Sequence, residues 1–519
     1  MRKTIYLVVL RPSSHRTAEE SLGVEYLASI LMKNGYEVKL RDAWLNTNIT
    51  TESIEREIIS DKSNVLFVGT SSYMLSNKNT CDMISRLTHE GIAVVSGGYG
   101  PTFEPEKFLN SGAKVAVIGE GEKTILEIAK MFEENITNYS QIKGIAYLDE
   151  NGEIKFSAKQ EVADLSDIPF PQRPYLDIVK NKHSTVNVLT SRGCMGACTF
   201  CSISAFLSKQ NSPRWRGRNI DSIIDELKEL QEKNVKTIKF IDDSFIENER
   251  TDEWCAEFLK KIKENNITIN FRASIRSDKV TESNMKSLHD AGFFSFSCGI
   301  ENGSPSALKR MAKRASVEDN ERALKIFKDN DIYVQAGFIL FDDKTTIQEL
   351  EENYEFLTRY VWLVTKGIFS EMYAAVGTQF TKNAKLENDN KYFSNNIYLV
   401  KDMNARKVYD SLKAWQLHHS KIYDMVIDPI SAPKDIPIKE MKKYYDLMIQ
   451  MKKIDLLYMR EILDCVQKNA NTQNILTKYC ENYDDKFKEV YETVVRYYKE
   501  DELEYDADIN GFLTINEKK

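Results

Sequence analysis

Short apolar runs alternate with stretches of helical periodicity through the first part of the chain. "TIYLVVL" is a β-branched run, after which Leu22, Tyr26, Leu27, Ile30 and Leu31 recur at helical spacing until Asn34-Gly35. The same alternation continues with "EVKLRD", a helix near 51–60, "NVLFVGTS", a helix near 78–89, "AVVSGG", "KVAVIGEGE" and a helix starting near Glu122. Apolar strands separated by helices require a parallel sheet covered on both faces. The pattern therefore predicts an α/β, doubly wound (Rossmann-like) domain over residues 1–140.

Residues 141–184 read as a connector. "KGIAYLDENGEIKFSA" places Asn151-Gly152 between two strand-like runs, a hairpin signal. "DIPFPQRPY" carries Pro169, Pro171 and Pro174, a stiff extended linker. A second alternating series follows, with strands expected at 186–190, 236–242, 268–273, 293–300, 331–341 and 367–375. Helices such as "IDSIIDELKELQEK" and "ESNMKSLHDAG" fill the gaps, so residues 185–385 are expected to close into a partial (β/α)6 barrel. Beyond residue 385 strand signals fade, and 386–519 is expected to be a helical C-terminal domain.

Composition narrows the function class. The chain has 519 residues, 42% hydrophobic and 29% charged, with a formal net charge of −7. That balance gives no electrostatic reason to expect nucleic acid as a partner. No apolar run approaches the roughly 18 residues of a membrane span. The apolar part of "MRKTIYLVVLRPSSH" is short and runs into Arg11-Pro12, so it reads as a first strand rather than a signal peptide, and a cytoplasmic location is expected. Eight cysteines are too few for a disulfide framework in a chain of this length. Cys81, Cys255, Cys298, Cys465 and Cys480 are scattered and read as small buried hydrophobes.

The other three stand together in "SRGCMGACTFCSI" as Cys194, Cys198 and Cys201, on a loop following an expected strand. Structural zinc takes four protein ligands, and neither a second C-x-x-C pair nor a cleanly placed histidine completes the set; His183 precedes the strand. A four-iron cluster held by three thiolates keeps one iron open to a small-molecule ligand. Incidental thiols, or zinc completed from afar, are the other readings.

"CMGACTFC", with Phe200 before the last cysteine, resembles the signature of the radical S-adenosylmethionine (SAM) enzymes. Downstream, "FIDDSF" (240–245), "IRSDKVTE" (275–282), "CGIENGS" (298–304) and "AAVGTQF" (374–380) resemble strand-end elements of the cobalamin-dependent branch. Asn302, "FDDKTT" and Val376 depart from the usual residues without removing a ligand. The resemblance implies that Cys194, Cys198 and Cys201 hold a [4Fe-4S] cluster whose open iron chelates SAM, giving a 5'-deoxyadenosyl radical. It further implies that Glu301 meets the ribose, Asp242 or Asp243 the ammonium, Arg276 the carboxylate and the Phe200 backbone the adenine.

The first domain should bind its ligand at the carboxyl ends of its strands. Those ends carry Thr70, Ser71, Ser72, Gly97, Gly98, Gly119, Glu120 and Gly121, where bare backbone suits a large flat ligand. Neither a Walker motif nor an opening G-x-G-x-x-G is present. Ahead of a radical SAM core, this domain resembles a cobalamin-binding domain, with "SGGYGPTFEPE" and "GEGEKT" its most typical stretches. The usual D-x-H-x-x-G is replaced by Ser13-Ser14-His15-Arg16-Thr17-Ala18, so His15 lacks the acceptor that orients a ligating histidine. Cobalamin without a histidine lower ligand is expected, its lower face open, water-bound or covered by a side chain such as Tyr73 or Leu75.

The favoured function is methylation of an unactivated carbon by a cobalamin-dependent radical SAM methyltransferase. Rearrangement, cyclisation or ring contraction without methyl transfer is the alternative, and a cluster or cobalamin sensor the third reading. A small-molecule substrate is expected ahead of a peptide, with an external one-electron donor such as a flavodoxin or ferredoxin. His418 and His419 in "LHHSKIY" read as exposed surface histidines.

Overall fold

The computed structural model describes residues 3–12, 20–73, 77–181, 185–247, 249–383, 399–432 and 436–503. His15, Leu75 and His183 lie outside them.

In the first domain, β1 (Thr4–Val9), β2 (Glu37–Asp42), β3 (Val65–Ser71), β4 (Val94–Gly97) and β5 (Val115–Val117) form a parallel sheet in the order β2-β1-β3-β4-β5. Alternate side chains of β1 enter opposite cores, as a period of two demands: Ile5, Leu7 and Val9 on one face, Tyr6 and Val8 on the other. The strand order reverses between β1 and β3, which places a crevice outside the carboxyl ends there. The hairpin read as part of a connector instead extends this sheet. Strands β6 (Ile145–Leu148) and β7 (Ile154–Phe156) add antiparallel to β5 and cover its otherwise open edge.

Strands β8 (Val186–Val188), β9 (Ser191–Gly193), β10 (Trp215–Gly217), β11 (Thr237–Phe240), β12 (Asn270–Arg276), β13 (Phe293–Glu301) and β14 (Tyr333–Phe338) follow. Five of them form a parallel sheet in sequential order, β8-β11-β12-β13-β14. Phenylalanines fill the space behind it: the Phe240 ring lies 5.2 Å from Phe271 and 5.6 Å from Phe293. The sixth strand expected at 367–375 is reduced to one bridge, Phe341–Glu371, with another, Gln335–Val364, just before it. The barrel stays partial: Phe356 and Leu363 remain in the core of this sheet, while other residues of 340–368 pack away from it. Leu340, Phe341, Leu350, Leu357, Val364 and Ile368 share one core with Trp415, Tyr423, Tyr444 and Tyr458 of the C-terminal helices. Those helices span Met403–His418, Ser420–Ser431, Ile438–Gln467 and Gln473–Glu500. Among the described residues, no helix is long and apolar enough to cross a membrane.

The two sheets are joined by a buried ion network. Arg173, from the proline-rich segment, bonds Glu20 at 2.6 Å, the Asn187 carbonyl of β8 at 2.8 Å and Glu226 at 2.9 Å.

Candidate active site

The antiparallel pair β9–β10 forms the base of the cysteine loop. Gly193 turns the chain into that loop with φ +95°, and a Cβ there would sit 2.1 Å from the Arg214 carbonyl. No other residue fits this close approach without displacing β10. The loop is then tied down by Cys194 N–H to Arg214 O (2.9 Å), Thr199 N–H to Met311 O (2.9 Å) and Phe380 N–H to Thr199 O (2.9 Å). Phe200 packs on Ala307, Met311, Met372, Ala374 and Phe380.

All three thiols are half-buried. Burial pushes Cys194 up to about 11, against the pull of a Gly196 N–H and the Arg276 guanidinium. Cys198 and Cys201 are also raised by burial, with Lys313 and Arg276 acting in the opposite sense on Cys198. Arg276 closes on Asp278 at 2.6 Å and presents its other nitrogen 3.8 Å from the Cys194 sulfur. Glu301 ends β13 at φ +63° beside a register shift. Gly299 and Gly337 leave room for its carboxylate, which Lys313 holds at 3.0 Å.

Asp242 and Asp243 part company here. The Asp242 carboxylate is sealed in the core: it accepts from Thr190 N–H (2.7 Å), Thr190 Oγ1 (2.5 Å), Ser191 Oγ (2.7 Å) and Arg250 (3.1 Å). With both oxygens committed to that network, Asp242 is a framework residue. Asp243 faces the other way, into a cavity, and accepts the Gly193 N–H at 2.8 Å. Its side chain is exposed to that cavity, and desolvation by the surrounding wall raises its pKa to about 6.

This cavity, of about 400 Å³, lies at the carboxyl ends of the first sheet. Thr70, Ser71, Gly97, Gly98, Gly119, Glu120 and Gly121 line it, and its exposed lining is mostly apolar. Ser72 does not: its hydroxyl is turned into the fold, donating to Asn77 Oδ1 at 2.7 Å. The opposite wall is Ile203, Phe206 and Leu207, on the short helix Ser202–Leu207 directly after Cys201. Tyr99 bridges the two sides, its hydroxyl donating to the Val376 carbonyl at 2.9 Å. At one edge Glu120 pairs with Arg192 (2.5 Å) and with Arg216, and Arg192 also pairs with Glu122 (2.6 Å). Burial works against the Glu120 charge, but the two guanidiniums hold its carboxyl below the usual range. Tyr73 is half exposed, its ring 5.8 Å from that of Tyr99.

Two family models match the chain: the Radical SAM superfamily over residues 188–357 and the B12 binding domain over residues 15–129. The chain is a cobalamin-dependent radical SAM enzyme. A protein of Pyrococcus horikoshii described as an uncharacterized methyltransferase, PH0819, is 28% identical over 66% of this chain and 73% of its own length. The anaerobic magnesium-protoporphyrin IX monomethyl ester cyclase of Rubrivivax gelatinosus is 25% identical over 67% of this chain and 65% of its own length. The solved structure of the cobalamin-dependent radical SAM enzyme OxsB with aqua-cobalamin and S-adenosylmethionine has the same fold, with TM-score 0.76 and 19% identity over 99% of this chain and 81% of that one.

A [4Fe-4S] cluster, SAM and cobalamin are therefore the cofactors of this enzyme. Three soft donors on one tied-down loop, with cationic Arg276 and Lys313 beside them, suit a cluster with one open position. The glycine-lined, largely apolar cavity suits a flat macrocycle. Two neighbours of the cysteines escaped the sequence reading. Glu247 is buried, accepts the Met195 N–H at 3.2 Å and approaches the Cys194 sulfur at 3.3 Å. Lys313 is the buried partner of Glu301. Neither belongs to a local motif, and their partners are remote in sequence.

Proposed function

We propose that this cobalamin-dependent radical SAM enzyme methylates an unactivated carbon of a small metabolite or natural-product intermediate. One observation carries the reading. A single cavity is walled on one side by the glycine loops of the cobalamin-binding domain and on the other by the helix following Cys201. When bound, the cofactors supply a carbon-centred radical from SAM and a transferable methyl group. In this reading Cys194, Cys198 and Cys201 ligate the cluster, Glu301 and Asp243 bind SAM, and Thr70, Ser71, Gly97, Gly98, Gly119, Glu120 and Gly121 cradle the corrin. Arg276 is assigned to the SAM carboxylate; its nitrogen beside Cys194 is the one that Asp278 leaves uncommitted.

In the described lining Arg192 pairs with both Glu120 and Glu122, Arg216 adds a second guanidinium to Glu120, and Asp243 has no cationic partner at hydrogen-bond distance, which leaves it for the SAM ammonium. A flavodoxin or ferredoxin is the expected electron donor.

Anaerobic turnover with candidate substrates and a low-potential reductant tests the proposal. Coupled formation of 5'-deoxyadenosine, S-adenosylhomocysteine and a product heavier by one methylene supports it. Substrate-dependent 5'-deoxyadenosine without S-adenosylhomocysteine would replace it by rearrangement or cyclisation, the chemistry that the cyclase relative's name indicates.

A further inference from the structure

Far from this cavity, three side chains of the C-terminal helices converge: His418, His419 and Asp484, whose ligand atoms all lie within 4.8 Å of one another. The two histidines sit at the junction where helix Met403–His418 stops and Ser420–Ser431 starts, and the break lets adjacent residues aim at one point. Asp484 comes from the last helix, packed across the junction.

His419 is not a surface histidine. Its ring is 3% exposed, stacked on Phe487 at 3.8 Å and set edge-on to Trp415 at 4.3 Å. Nδ1 lies 3.1 Å from the Trp415 carbonyl, which only accepts, so Nδ1 carries the proton. In the neutral ring Nε2 is then a lone pair, and it faces Asp484 Oδ1 at 3.1 Å. Two acceptors at that distance need a proton or a metal ion between them. An imidazolium would place the charge in the apolar slot between Phe487 and Trp415. A metal ion would place it among the three donors, where His418 Nε2 is 3.0 Å from the other carboxylate oxygen.

We propose that His418, His419 and Asp484 bind a zinc ion that clips the helix junction to the last helix. Two imidazole nitrogens and a carboxylate are a zinc donor set that keeps a fourth position open. That position faces a solvent-reached cavity of about 370 Å³ bordered by Lys421, Lys488 and Tyr491. The two lysines disfavour capture of a hard cation by charge alone, so the site selects ions held by imidazole. The Trp415 carbonyl and the Cys480 thiol, hydrogen-bonded to Asp484, orient the ligands from behind.

The test uses the full-length, cluster-reconstituted protein, stripped with chelator and titrated with Zn²⁺ alone. Elemental analysis after desalting should find one zinc per chain beyond the iron, and zinc should raise the melting temperature. His418→Gln and Asp484→Asn change half-exposed side chains and leave the core packed. Each should weaken zinc binding by about tenfold or more and abolish the thermal shift. Zinc retained equally by both variants would locate the metal elsewhere. No zinc uptake, with His419 protonated by nitrogen NMR, would leave an ion pair only. Either result overturns the proposal.

Discussion

Replacing Arg173 by methionine should strip the interface between the two sheets of its main electrostatic tie. The Arg173 side chain is 4% exposed, and its partners Glu20 and Glu226 are 1% and 2% exposed. Glu226 also holds Arg218. Nearby Glu25 is pushed up to about 9 by burial and by Glu20, so it stays neutral at pH 7. Two carboxylates then balance two guanidiniums. A methionine in place of Arg173 would keep the packing but leave Glu20 with the Asn187 N–H at 2.7 Å and a second oxygen that has no hydrogen-bond partner. Stranding one member of a buried pair costs about 3–5 kcal/mol. For a cooperative unit of roughly 150–250 residues, that lowers the melting temperature by about 6–20 °C. Differential scanning calorimetry of Arg173→Met measures it. Adding Glu20→Gln removes the stranded charge and should recover more than half of the loss. A single variant melting within about 2 °C of wild type, or a double variant no better than the single, would refute the balance of charges described.

Asp243 and Gly193 give two further tests. Because burial raises the Asp243 carboxyl to about 6 in the folded protein, its favourable protonated form is fully present below the unfolded value and is lost as pH rises through about 6. Asp243→Asn should therefore gain thermal stability over wild type at pH 7.5, with the gain vanishing toward pH 4; a gain independent of pH would contradict the assignment. Gly193→Ala, forced against the Arg214 carbonyl, should lower the iron content of the reconstituted protein while leaving cobalamin retention unchanged. Equal iron in the variant and wild type would show that the hairpin does not set the loop.

Much of the architecture was legible because period-two and helical patterns report burial locally. The β1 run, the glycines at the ends of β4 and β5 and the cysteine spacing all carry their meaning within a few residues. What escaped depends on direction or on remote partners. Asp242 and Asp243 are neighbours at one strand end, and only the path of the chain decides which meets Thr190 and Arg250 and which meets the cavity. Ser72 follows Ser71 yet turns away from it, toward Asn77. The sixth strand carries apolar residues, but Ile368 and Phe369 serve the core shared with the C-terminal helices and Met372 and Ala374 pack beneath Phe200, rather than forming a ladder. His419 is hidden by Phe487, which lies on a different helix.

The central claim is that Cys194, Cys198 and Cys201 hold the cluster at which SAM is cleaved, beside a cobalamin held independently by the first domain. Anaerobic assay of the Cys198→Ala variant with reductant and SAM measures it directly. The account predicts bound cobalamin at the wild-type level and loss of 5'-deoxyadenosine formation. Undiminished 5'-deoxyadenosine from that variant would contradict it.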